Sequence, residues 1–97
     1  MLALKPEHLK IVRGILAQRL PGVEVRVFGS RARGEARAMS DLDLLLRPAQ
    51  PLAALERALL REAFSESDLP FRVDIVDATT TGEDFLRAIV PESVPLE

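Results

Sequence analysis

The chain has no cysteine, which excludes a disulfide framework, a thiolate metal site and a cysteine nucleophile, and fits a reducing, cytoplasmic setting. His8 is its one histidine; no histidine-based metal site can be built, and His8 reads as an exposed side chain of the first helix. Tryptophan and tyrosine are missing, and Phe28, Phe64, Phe71 and Phe85 are too scattered for a base-stacking platform and read as core. No run approaches the ~18 apolar residues of a membrane span. The first ten residues, with Lys5, His8 and Lys10, lack the apolar stretch of a secretory signal. Positive charge is short as well: a net charge of -2 excludes a generally basic nucleic-acid binder, and direct nucleic-acid binding is not expected.

What is present is a chain of 97 residues, 47% hydrophobic and 29% charged, too apolar for disorder and too short for a second domain. Residues 1–97 are therefore read as one domain. So small a fold hides that much apolar surface with difficulty, which points to an oligomer, homo- or heteromeric. Leu9, Val12, Leu16 and Leu20, with Ile11 and Ile15 beside them, predict an amphipathic helix between Pro6 and Pro21-Gly22. Val23, Val25 and Val27 alternate with polar neighbours as a strand that ends at Gly29. Asp41 to Leu46 alternates again, Leu42, Leu44 and Leu46 on one face, Asp41, Asp43 and Leu45 on the other. A second helix is expected from Leu52 to Phe64 on a stripe of Leu52, Leu55, Leu59 and Ala63, and a third strand from Phe71 to Asp77. A last helix starts at Thr81, capped by its hydroxyl with Asp84 reaching back, and runs to Pro91. Residues 91–97 read as a loose tail, with Leu96-Glu97 as an appended pair. The predicted fold is α/β (α+β): a small mixed β-sheet with helices on its apolar face and the opposite face free for chemistry.

Two neighbouring features carry that chemistry. Gly29-Ser30-Arg31-Ala32-Arg33-Gly34 follows the first strand directly. A glycine there lets a ligand approach the backbone, a helical turn opening at Ser30 would face its N–H groups to a phosphate, and the arginines add bidentate capacity for phosphate oxygens. Ser40-Asp41-Leu42-Asp43-Leu44 opens the second strand, and at ~3.3 Å per residue its two carboxylates project to one side about 6.5 to 7 Å apart. Asp74 lies on the polar parity of the third strand, so a suitable register would add a third carboxylate. Like charges 4 Å apart repel by about 1 kcal/mol in water and about 4 kcal/mol at an effective dielectric of 20. Divalent cations relieve such a cluster, and an oxygen-only shell suits Mg²⁺. Taken alone, Asp41 and Asp43 are the solvated face of a strand, Ser40 a turn residue, and Arg31, Arg33 and Arg37 a solvated loop. Their conjunction with Gly29-Ser30, eleven positions before Ser40, makes them a metal and nucleotide site. A P-loop is excluded because no Gly-Lys-Ser/Thr follows Gly29.

In order and spacing, these two motifs and Val73-Asp74-Ile75-Val76 resemble the minimal nucleotidyltransferases of the DNA polymerase beta superfamily over almost the whole chain. The resemblance implies a polymerase-beta-type nucleotidyltransferase core. It implies that Asp41, Asp43 and Asp74 are catalytic and hold Mg²⁺, two ions in all, with Asp74 the candidate base toward an acceptor hydroxyl. Gly29 and Ser30 would hold the triphosphate of ATP, with Arg31, Arg33 and Ser40 as further nucleotide contacts. It further implies a HEPN-domain helical toxin as partner, silenced by transfer of AMP to a tyrosine, this chain being the antitoxin. The alternatives are a non-catalytic module that masks its partner, and transfer to a small-molecule hydroxyl.

Overall fold

The computed structural model describes residues 2–96; Glu97, half of the pair read as appended, lies outside the described residues, as does Met1. Helix α1 (Pro6–Arg19) starts on a proline whose fixed φ suits a first helical turn, and buries Val12 and Leu16. Strands β1 (Glu24–Phe28) and β2 (Leu42–Arg47) pair antiparallel, separated by the four-residue helix α2 (Ser30–Arg33) and a loop. Helix α3 (Ala54–Ser65) then crosses over, so that β3 (Val73–Asp77) lies parallel to β2. Helix α4 (Glu83–Ile89) leads to the short strand β4 (Val94–Pro95), antiparallel to β1. The sheet order is β3-β2-β1-β4.

The sheet's period of two sorts its residues. Val27, Leu42, Leu44 and Leu46 point to one face and pack without exposure against Val12 of α1 and Leu60 of α3, with Leu16, Phe64 and Phe71 around them. Each fully buried leucine of this layer is worth roughly 1.5–3 kcal/mol, so this layer dominates stability.

Several expectations are corrected. The second face is not wholly free: Phe28, Leu45 and Ile89 form a small cluster there with Val76 and Leu86, so α4 covers part of it. The stripe of α3 is displaced. Leu60 and Phe64 are buried while Leu55 is exposed, because it is Leu60 and Phe64 that pack against the sheet; the helix begins at Ala54 rather than Leu52, and Leu52 is held by a hydrogen bond from its N–H to Asp77. Thr81 does not cap α4; it ends the 3-10 turn of Ala78–Thr80, its hydroxyl donating to the Asp77 carbonyl at 2.7 Å, and α4 starts beyond Gly82. Nor is the tail loose. Val94 and Pro95 pair with Val27 and Arg26, the Arg26 guanidinium donates to Ser93 Oγ at 2.7 Å and to its carbonyl at 2.9 Å, and Leu96 N–H reaches the Val25 carbonyl. His8 is half-buried, edge-on to the Phe71 ring at 5.4 Å. Phe85 is partly exposed rather than core.

Candidate active site

The site grows from the end of β1. Gly29 has φ of 77°, a left-handed conformation that disfavours any side chain, and a Cβ there would collide with the Asp43 carboxylate. The glycine thus turns the chain sharply and lets the main chain lie directly beside a carboxylate. Ser30 opens α2. Its carbonyl accepts the N–H of Gly34 and of Glu35, and its hydroxyl makes no hydrogen bond to another described residue.

The residues expected to follow Ser30 separate into two roles. Arg31 is 5% exposed, and its guanidinium donates to the carbonyls of Ser40 (2.8 and 3.0 Å), Ala3 (2.8 Å), Ala38 (3.2 Å) and Arg37 (3.4 Å) while stacking over Phe71. Those donors are spent on main chain, which corrects its reading as a phosphate contact: Arg31 pins the 37–40 loop and the N-terminal segment to the core. Ser40 serves the same loop, its hydroxyl accepting the Arg37 N–H at 2.8 Å. Arg33 is on the surface, paired with Glu35 at 2.8 Å and Glu92 at 3.2 Å. It is close enough to Asp43 to oppose the rise in that carboxyl's pKa.

The carboxylates sit side by side because of register. In the parallel pair β2·β3, Asp43 lies opposite Asp74, and neighbouring strands are ~4.8 Å apart. Asp41 precedes β2 on the same parity. Burial first, and then Asp74 and Asp41, push the Asp43 carboxyl above its ordinary range, against the smaller pull of Arg33 and Arg72. Arg72, two residues before Asp74 on the same strand parity, is a participant to which the sequence reading assigns no role. Its guanidinium donates to Asp41 Oδ2 at 3.0 Å and approaches Asp74 Oδ1 at 3.8 Å. The signal was its position two residues before Asp74 on one parity, but the pairing that adds Asp41 spans 31 residues. Beyond β3, at the open edge of the sheet, a cleft of about 420 Å³ is lined by Arg61, Phe64, Leu69, Phe71, Arg72 and Asp74.

Residues 9–95 match the family model of the nucleotidyltransferase domain. The chain belongs to that family. This nucleotidyltransferase is 52% identical over 88 residues to a Haemophilus influenzae chain named probable protein adenylyltransferase MntA, covering 91% of this chain and 77% of that one. A solved minimal nucleotidyltransferase is 38% identical, with a TM-score of 0.70 over 92% of this chain and 89% of the other. The same fold recurs at 21% identity in a complex of tri-AMPylated Shewanella oneidensis HEPN toxin with MNT antitoxin, with a TM-score of 0.69 over 92% of this chain and 68% of the matched one.

The donor set of this nucleotidyltransferase suits a divalent cation. Asp41, Asp43 and Asp74 offer only hard oxygen ligands, and the rise of the Asp43 carboxyl comes first from burial and then from Asp74 and Asp41, with Arg33 and Arg72 opposing it less strongly. In the arrangement described, with Arg72 on Asp41 and Asp74, no three acidic or histidine side chains among the described residues share one centre.

Proposed function

We propose that the chain transfers AMP from ATP to a hydroxyl of a helical HEPN-type partner, a tyrosine in the first instance, and so acts as the antitoxin of the pair. The observation that carries this reading is the register-built carboxylate group beside the Gly29 turn in a chain 52% identical to a named protein adenylyltransferase. In this reading the N–H groups and hydroxyl at Gly29 and Ser30 receive the phosphates, and Arg33 exchanges Glu35 for a phosphate oxygen. Asp41, Asp43 and Asp74 would hold Mg²⁺, two ions, which neutralise the phosphates and activate the acceptor oxygen. Asp74 accepts the hydroxyl proton. The acceptor oxygen bonds the α-phosphorus as the bridging oxygen to the β-phosphorus departs with pyrophosphate, leaving AMP on the acceptor.

In-line displacement puts the acceptor opposite the leaving group. Pyrophosphate leaves on the β1–α2 side, so the acceptor arrives from the β3 edge, where the cleft beside Asp74 lies. The apolar walls given by Phe64, Leu69 and Phe71 favour an aromatic hydroxyl over a free sugar. Partner contact also gives Met39, Leu55 and Phe85, the exposed large apolar side chains among the described residues, a reason to be on the surface. The pair would act in the cytoplasm; no described helix is long and apolar enough to cross a membrane.

The test is purification of the native partner after co-expression, with intact-mass analysis. Whole AMP increments on a helical partner, lost with Asp41→Asn or Asp43→Asn, are expected. Full protection by Asp41→Asn with no added mass would replace this reading with masking, and absence of any helical partner would favour a small-molecule hydroxyl.

A further inference from the structure

We infer that Arg72 is an internal counter-ion that holds Asp41 and Asp74 while no divalent cation is bound, and that a cation must displace it to load the site. This rests on the metal-site reading of Asp41, Asp43 and Asp74. The contacts are electrostatic rather than packed: the Arg72 side chain is 74% exposed, yet one arm is 3.0 Å from Asp41 and another 3.8 Å from Asp74. It bridges two strands at the register where the carboxylates crowd. Among the described residues no other arginine or lysine is within salt-bridge distance of these three carboxylates. Arg31 is fixed to main-chain carbonyls, and Arg33 is occupied by Glu35 and Glu92.

Arg72 can also leave. It lines the cleft of about 420 Å³ at the β3 edge, so its guanidinium can swing outward by side-chain rotation alone. Exposed ion pairs are weak, and the competition is correspondingly mild. A divalent cation escorted by a triphosphate displaces Arg72 readily, whereas a bare cation meets a resident positive charge. The arginine therefore biases the empty site against ions that arrive without nucleotide.

The experiment is a Mn²⁺ titration of the full chain without nucleotide, read by electron paramagnetic resonance. It is paired with a Mg²⁺ titration of the wild-type chain that follows the Arg72 Nε–H resonance. Arg72→Gln should bind Mn²⁺ about two- to five-fold tighter, the range released by losing exposed ion pairs. Arg72→Lys should stay closer to wild type, and Arg33→Gln, which removes equal charge without a direct contact to Asp41, Asp43 or Asp74, should change affinity less than Arg72→Gln. The Arg72 resonance should move and saturate with Mg²⁺. Unchanged or weaker binding by Arg72→Gln, an equal gain from Arg33→Gln, or an Arg72 resonance indifferent to Mg²⁺ would each overturn the inference. Failure of the metal-site reading looks different: Mn²⁺ then binds neither chain, with or without ATP.

Discussion

Asp74 and Asp77 stand on the same strand, three residues apart, in opposite circumstances. Asp77 is buried, and its carboxylate accepts the N–H of Leu52 at 2.9 Å, the N–H and hydroxyl of Thr79 at 2.9 and 2.6 Å, with Arg57 at 3.8 Å. Burial alone would raise its pKa, but these donors outweigh burial and hold it below the ordinary carboxylate range. Asp74 is half-exposed, faces Asp43 in register, and among the described residues its carboxylate has only the long contact to Arg72. A carboxylate whose donors come from its own fold is structural. One placed against other carboxylates, with an exposed arginine for company, costs stability and is free to act on something else.

The largest break in that contrast is Asp74→Asn. Turnover should fall by roughly 10²- to 10⁴-fold if the residue takes the acceptor proton, with a smaller change in ATP affinity and a melting temperature unchanged or raised. Steady-state kinetics beside calorimetry checks it; a loss confined to affinity would leave Asp74 a ligand only. Asp77→Ala should do the reverse. Stranding its buried donors costs about 1–3 kcal/mol, several degrees in a domain this size, while transfer per folded molecule persists; denaturant titration and a low-temperature assay decide it.

Gly29→Ala tests the turn that places main chain against Asp43. Gly29 combines a φ of 77° with a ψ of -158°, a region essentially confined to glycine where an alanine costs about 1–3 kcal/mol, and the alanine Cβ would push the Asp43 carboxylate aside, so both stability and ATP binding should fall. An unchanged ATP titration would separate the turn from the site.

The smallest effect is the opposed pH response of two carboxylates. The folded pKa of Asp77 is depressed, so its stabilisation is present above the unfolded value and lost as pH falls through the lower folded one. The folded pKa of Asp43 is raised, so stability declines as pH rises from the unfolded value through the higher folded one. Thermal melts across the acid range should show Asp77→Asn removing the first slope and Asp43→Asn the second.

The strands and the carboxylate parity were legible because period-two alternation in Asp41 to Leu46 and Phe71 to Asp77 is a local property of the chain. The helix of residues 6–19 was legible for a similar reason, its apolar spacing being uninterrupted between two prolines. Arg31 was not legible. Its sequence context, Gly29-Ser30-Arg31-Ala32-Arg33-Gly34, reads as a solvated loop, whereas its burial depends on Ala3 and Phe71, far away in sequence. β4 escaped for the same reason: two residues carry no periodicity, and their pairing with β1 is long-range. The phase of α3 was misjudged because the face that carries Leu60 and Phe64 is chosen by packing against the sheet, a tertiary contact.

The contact between Gly29 and Asp43 makes the two positions interdependent. Shortening the side chain at 43 vacates the space that a Cβ at 29 would need, so a double substitution should cost less than the sum of its parts, leaving only the backbone strain at 29. Sequence drift at this corner is consequently coupled: a side chain at position 29 displaces the Asp43 carboxylate, and meets no such obstacle where position 43 has already surrendered it.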